Sequence, residues 1–328
     1  MGLNQPIPWL PHPAPEGFET FVNSLGSSSI HAWGDRWQAL GGLSLAREAW
    51  PVPVDDSWVA FLALPLLSRI EHAVHSGRPT LLGVSALPGC GKSTLCSWAK
   101  TASQRLGWRV EHLSLDDFYW PAEALERSMA GNPWRVPRAL PGSHDLITMD
   151  DALREWRRSS VISAPRFDKA LRQGRGDRRG STTAEADVVL LEGWFLGVAA
   201  HKTPAQLEDQ GLSETERVWR PQAIDALHHY STIWAQLDDL WHLRSSRTDA
   251  SSRWKEEQLI TLRRQSGVDY SSGDLSDFNR MVQKALPSSW LQQLDQANVV
   301  VDLSNSRSVE KIHRRKDQLS ASSASATG

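Results

Sequence analysis

Cysteine is scarce: 328 residues contain two, Cys90 and Cys96. That excludes a disulfide scaffold and suits a reducing compartment, where both are read as free thiols. Excess charge of either sign is also missing, with 36 basic against 38 acidic side chains. Nothing in that balance points to nucleic acid or an anionic membrane as partner. The longest apolar run, Trp58 to Leu67, is ten residues and contains Pro65, too short to span a bilayer. The first residues lack the basic-then-apolar layout of a signal peptide, and Pro6 stands where a myristoylation motif needs Ser or Thr. A soluble, cytoplasmic protein is expected. No internal repeat is visible, and the Asn/Thr-Lys-X-Asp segment that reads guanine is missing, which argues against a GTPase.

What is present begins with an apolar run, Thr80 to Ser85, that feeds into Ala86-Leu87-Pro88-Gly89-Cys90-Gly91-Lys92-Ser93-Thr94. This is a phosphate-binding P-loop with Ala86 in place of the first glycine. Gly89 and Gly91 let backbone N–H groups turn inward around phosphate oxygens. Lys92 supplies charge for the outer phosphates, the Ser93 hydroxyl suits Mg²⁺, and a helix starting at Lys92 adds its N-terminal dipole. The expected ATP-binding set is Gly89, Cys90, Gly91, Lys92, Ser93 and Thr94. Cys90 is read as a small inert side chain rather than a redox group.

Residues 1–75 form an N-terminal extension rich in Pro, Gly, Ser and Trp and carry no readable motif. Its last part, Ser57 to His75, has Val59, Leu62, Leu66, Ile70 and Val74 at helical spacing. The 16 tryptophans are scattered, with no functional account. Strands are expected over Arg109 to Leu115, Ala186 to Leu191 and Asn298 to Leu303, and a short helix over Met149 to Arg158. The proline-bearing segment Ala130 to Asp145 and the polar, glycine-rich Gln173 to Thr183 read as long loops, often functional in compact domains. Strands alternating with helices predict an α/β fold, a doubly wound, mainly parallel sheet flanked by helices. Ligands then sit at the strand C-termini.

Three chemically suggestive elements follow the three best strands: the P-loop, Asp116-Asp117 and Glu192. An isolated Asp-Asp commonly caps a helix or forms a turn. After an apolar strand in a P-loop protein, Asp116 is instead a candidate carboxylate for an attacking hydroxyl, with Lys92 as its catalytic partner on the phosphate. Glu192, beside Ser93, is the candidate Mg²⁺ holder, its alternative being a polar residue that closes a strand.

Leu113 to Tyr119 resembles the motif after the second strand of the uridine kinase, phosphoribulokinase and pantothenate kinase group. A wider set is more similar still to the D-glycerate 3-kinases of plants and cyanobacteria. It comprises Pro141 to Leu146, Pro165-Arg166-Phe167-Asp168-Lys169, Gly174 to Arg178 and Leu191 to Gly197, in the same order. The resemblance spans roughly Leu81 to Leu303. It implies a P-loop kinase domain over 76–316; the tail over 317–328 is expected to be disordered because it is low-complexity from Ser320 onward. The resemblance also implies phosphorylation of D-glycerate by ATP and Mg²⁺, with Asp116 as general base and Arg166 and Asp168 facing the acceptor.

A carboxylate substrate wants an arginine fork and its hydroxyls want acceptors, so His144, Arg166, Asp168 and Arg178 form the expected substrate set. His144 and the Gly174–Arg179 loop could equally be structural. Six basic residues lie between Arg244 and Arg264. Similar kinases carry an arginine-bearing lid there, and Arg253 and Arg263 are the nominated phosphate contacts. Two alternatives stand beside this reading: a related kinase for a nucleoside or another hydroxy-metabolite, and an ATP-binding regulator without turnover.

Overall fold

The computed structural model describes residues 7–50, 55–199, 211–245, 254, 256 and 272–315. Arg253, Arg263 and the 317–328 tail lie outside the described residues.

A six-stranded sheet runs in the order β2-β5-β1-β6-β7-β8. Its strands are β1 (Thr80–Ala86), β2 (Val110–Ser114), β5 (Val188–Gly193), β6 (Asp239–Ser245), β7 (Val299–Leu303) and β8 (Val309–Arg314). All neighbours are parallel except β7 and β8, which run antiparallel. The central strands β1 and β5 are buried at every position. Continuous apolar runs such as Val188-Val189-Leu190-Leu191 are what a parallel strand covered on both faces requires. The α/β, mainly parallel architecture is therefore as the sequence pattern predicts.

Helix Lys92–Arg105 follows β1, and a 3-10 turn, Leu115–Phe118, follows β2. Helix Leu146–Ser159 covers the expected 149–158 segment and starts on an Asp145 cap that accepts from the Thr148 amide. The glycine-rich stretch expected as a loop over 173–183 is in part a strand. β3 (Val161–Asp168) and β4 (Asp177–Glu185) form a separate antiparallel ribbon, joined through the 169–176 turn. Most β4 positions are solvent-facing, so the apolar alternation that betrays a half-buried strand is missing.

The N-terminal region contributes helices Phe18–Ser24, Ile30–Ala39 and Gly42–Ala49. The helical run expected over 57–75 is continuous but contains a π turn, Val59–Ala63, before Leu64–His75. Phe18, Trp33, Trp37, Phe61 and Leu66 share one apolar core with the sheet. Among the described residues, no helix is long and apolar enough to cross a membrane.

Candidate active site

The P-loop leaves the end of β1 with Gly89 and Gly91 both at φ 85°, the left-handed region that strains a residue with a Cβ. Gly91 is the N-cap of helix Lys92–Arg105, and no side chain caps that end. The first-turn amides, which have no intrahelical acceptor, are thus left for an anion. Gly91 also has a neighbour from the N-terminal region: a Cβ there would lie 3.1 Å from Cη2 of Trp58. Trp58 packs edge-on to Trp50, and Trp50 packs on Trp98 of the P-loop helix. Some of the tryptophans therefore buttress the loop from behind.

Val84 and Ser114 both pair with Glu192 in the sheet register, so the ends of β1, β5 and β2 lie side by side. Glu192 is 3% exposed. It accepts from the Ser93 hydroxyl at 2.7 Å and lies 3.6 Å from the Lys92 ammonium. A hydroxyl and a carboxylate oxygen in contact, next to a phosphate cradle, match the hard oxygen donors Mg²⁺ takes alongside phosphates and waters. The described residues hold no cluster of three or more His, Cys, Asp or Glu for an all-protein metal cage. Cys90 and Cys96 are buried and free. Burial pushes the Cys90 thiol up to about 12 and raises Cys96 as well, so neither is a thiolate near neutrality.

One strand further out, Ser114 caps the 3-10 turn that presents two aspartates. Its hydroxyl accepts from the Asp116 amide, and Asp117 Oδ2 accepts from the Ser114 amide. The two carboxylates then part company. Asp116 accepts from the Tyr119 hydroxyl at 2.7 Å and from Lys169 Nζ at 2.5 Å. Burial acts to raise its pKa, but the Lys169 ammonium and these hydrogen bonds outweigh it and hold the carboxyl well below the usual carboxylate range. Asp117 accepts from Arg166 at 2.8 Å.

Of the nominated substrate residues, His144 is near enough to Asp116 to bear on its charge, whereas Arg166, Arg178 and Asp168 are paired with other groups of the protein. Arg166 is engaged by Asp117, by Glu111 at 3.2 Å and by the His112 carbonyl at 3.4 Å. Glu111 is also gripped by Lys100 of the P-loop helix, at 2.6 and 2.7 Å. Lys100, Glu111, Arg166 and Asp117 thus form a strut between that helix, β2 and the ribbon. Arg178 donates to the Tyr119 carbonyl and to Asp145, both at 2.9 Å. Asp168 accepts from the Ala170 amide and from Arg179, which fixes the ribbon turn. His144 is 2% exposed, stacked on Tyr119 and hydrogen-bonded through Nδ1 to the Tyr230 hydroxyl at 2.7 Å. Burial pulls its pKa down to about 3, so it is neutral.

Lys169, adjacent to the nominated Asp168, is the side chain that reaches Asp116. The sequence signal was its place in the Pro165–Lys169 motif. The Trp194 indole, just past Glu192, donates to the Ala139 carbonyl at 2.9 Å and pins the proline-bearing loop beside the site. Arg244, at the edge of the expected lid, is paired with Asp302.

No family model matches the chain. It is 30% identical over 221 residues to uncharacterized kinase mug58 of Schizosaccharomyces pombe, covering 62% of this chain and 78% of that protein. It is 29% identical over 223 residues to the chloroplastic D-glycerate 3-kinase of Arabidopsis thaliana, covering 64% of this chain and 47% of that one. It thus spans about half the length of the plant relative. The fold is similar to that of D-glycerate 3-kinase from Cryptococcus neoformans var. grubii, at a TM-score of 0.64 and 19% identity over 76% of this chain and 99% of that one. The chain belongs to the D-glycerate 3-kinase-like family of P-loop kinases.

Proposed function

We propose that this kinase transfers the γ-phosphoryl group of ATP to the 3-hydroxyl of D-glycerate, giving 3-phosphoglycerate and ADP. The observation that carries the proposal is the placement of Asp116 at the end of β2. It lies on the same sheet edge as the Ser93–Glu192 pair and the phosphate cradle, and the Lys169 ammonium is paired with it.

Phosphoryl transfer asks the protein for alignment and charge more than for covalent participation. The amides of Gly89 to Thr94 hold the phosphates and Lys92 neutralises the outermost oxygens. Ser93 and Glu192 would hold Mg²⁺, which would supply charge neutralisation for the phosphates. Asp116, fully ionised, orients the acceptor hydroxyl by accepting its hydrogen bond. As the hydroxyl oxygen bonds to the γ-phosphorus and the bond to the ADP oxygen breaks, the proton passes to Asp116 and then to solvent. Lys169 shares that carboxylate in the free enzyme and is positioned to follow the charge toward the transferred group.

ADP release with D-glycerate, L-glycerate, uridine and pantothenate as separate acceptors tests the assignment. Turnover with D-glycerate above the other three is expected. Turnover with uridine alone would make the chain a nucleoside kinase, and tight ATP binding without any turnover would make it a regulator.

A further inference from the structure

In glycerate a single carbon separates the carboxyl carbon from the one bearing the 3-hydroxyl. A group that reads the carboxylate must therefore lie close to Asp116. The arginines nominated from sequence are occupied: Arg166 by Asp117, Glu111 and the His112 carbonyl, Arg178 by Asp145 and the Tyr119 carbonyl. Lys169 is held by Asp116 itself.

Arg138 differs from all three. Its Nη1 donates to the carbonyls of Gly174 and Arg175, at 2.8 and 2.9 Å. Its guanidinium carbon sits 5.9 Å from the centre of the Phe167 ring, and Phe167 packs edge-on against Tyr119 at 5.0 Å. Among the described residues nothing accepts from Nε or Nη2. The charge of Arg138 bears on the Tyr119 phenol and on the Lys169 ammonium, the two groups that touch Asp116.

The backbone around Arg138 is also constrained. Ala139 is held at φ 84°, a conformation costly for a residue with a Cβ. The Trp194 indole fixes its carbonyl, and the Tyr230 hydroxyl accepts from the Gly142 amide at 3.0 Å further along the loop. Strain of this kind persists where the surroundings over-determine a position. Here the over-determined element is the one that carries an arginine with an open edge.

We propose that Arg138 is the residue that reads the acceptor's carboxylate, through the fork formed by Nε and Nη2. The inference rests on the D-glycerate reading above and deepens it: the accepted substrates are small hydroxy acids, selected against neutral polyols. A planar fork matches a carboxylate in a way an ammonium cannot, so lysine is not an adequate substitute.

The test compares wild type, Arg138→Lys and Arg138→Met on D-glycerate and on glyceramide, its uncharged amide, with kcat and KM resolved for each. Melting temperature and ATP binding serve as checks on folding. Loss of the charge-assisted pair should raise KM for D-glycerate at least ~10-fold in both variants. KM for ATP should stay near wild type, and the preference for D-glycerate over glyceramide should collapse. Equal losses on both acceptors, or an unchanged KM for D-glycerate, would overturn the proposal. If the wild type ignores D-glycerate, a panel of other hydroxy acids separates the two readings. Turnover of another acid that fails in Arg138→Met keeps Arg138 as the carboxylate reader, whereas turnover of neutral acceptors only overturns both.

Discussion

Lys169 Nζ lies 2.5 Å from Asp116 Oδ2 while Tyr119 donates to Oδ1 of the same carboxylate at 2.7 Å. The proposed acceptor-orienting group is thereby ionised before substrate arrives. Because its folded pKa is depressed, the ionised form persists as pH falls below the ordinary value of 3.8. In Lys169→Met the leading remaining influence is burial, which raises the pKa. The acid limb of kcat/KM should then move to higher pH than in wild type. The same sign governs stability. The contribution of the pair is present above the ordinary carboxylate pKa and is lost as pH falls through the depressed one, so the variant's stability deficit should close in acid. Rate profiles from pH 4 upward measure the first and urea titrations continued below pH 3.8 measure the second; coincident acid limbs would remove Lys169 from this role.

Asp116→Asn keeps the shape of the side chain and removes its charge. Turnover should fall at least ~100-fold while ATP affinity stays near wild type, because no phosphate-cradle residue is touched. Steady-state kinetics with ATP titration of the inactive variant separates the two. Near-normal kcat would mean that the acceptor hydroxyl is oriented by another group.

Arg166 is a positioning residue in this structure. It joins Asp117 to Glu111, whose other partner is Lys100 on the P-loop helix. Arg166→Met takes one of two cationic partners from Glu111, which is 4% exposed and keeps Lys100, and removes the cation paired with Asp117. The arginine is a third exposed, so a loss of about 1–2 kcal/mol is expected rather than the larger value for a fully buried pair. Chemical denaturation measures it. KM for D-glycerate should change far less than in Arg138→Met, and a selective rise in that KM would return Arg166 to the acceptor site.

Trp58 stands behind Gly91 in the phosphate loop and is 6% exposed. Trp58→Ala leaves a cavity there, with an expected cost of about 3 kcal/mol. Because the cavity borders the loop, ATP affinity should fall along with stability, whereas kcat at saturating ATP should change little. Calorimetric ATP titration below the melting transition is the measurement, and unchanged affinity would reduce Trp58 to ordinary core packing.

The sheet and the phosphate cradle were legible because each rests on local sequence. Val188 to Leu191 is apolar at every position, as a strand covered on both faces must be, and Gly89 and Gly91 mark positive φ directly. The ribbon was half legible, since β4 runs Arg178-Arg179-Gly180-Ser181-Thr182-Thr183 along a solvent-facing edge with no apolar alternation to mark it. Side-chain commitments were not legible at all. Arg166 and Arg178 look as available as Arg138 in the sequence, and only the tertiary structure shows that the first two are paired with carboxylates of the protein. His144 illustrates the same limit. Its buried stacking on Tyr119 makes it part of the wall behind Asp116, whereas the sequence left substrate contact and a solvated or structural role equally open.

The most direct test of the central claim is the identity of the product formed from ATP, Mg²⁺ and D-glycerate, followed by phosphorus NMR. The proposed function predicts 3-phosphoglycerate with stoichiometric ADP from the wild type, and no such product on that timescale from Asp116→Asn. Formation of 2-phosphoglycerate, or ATP consumption that is indifferent to D-glycerate, would contradict it.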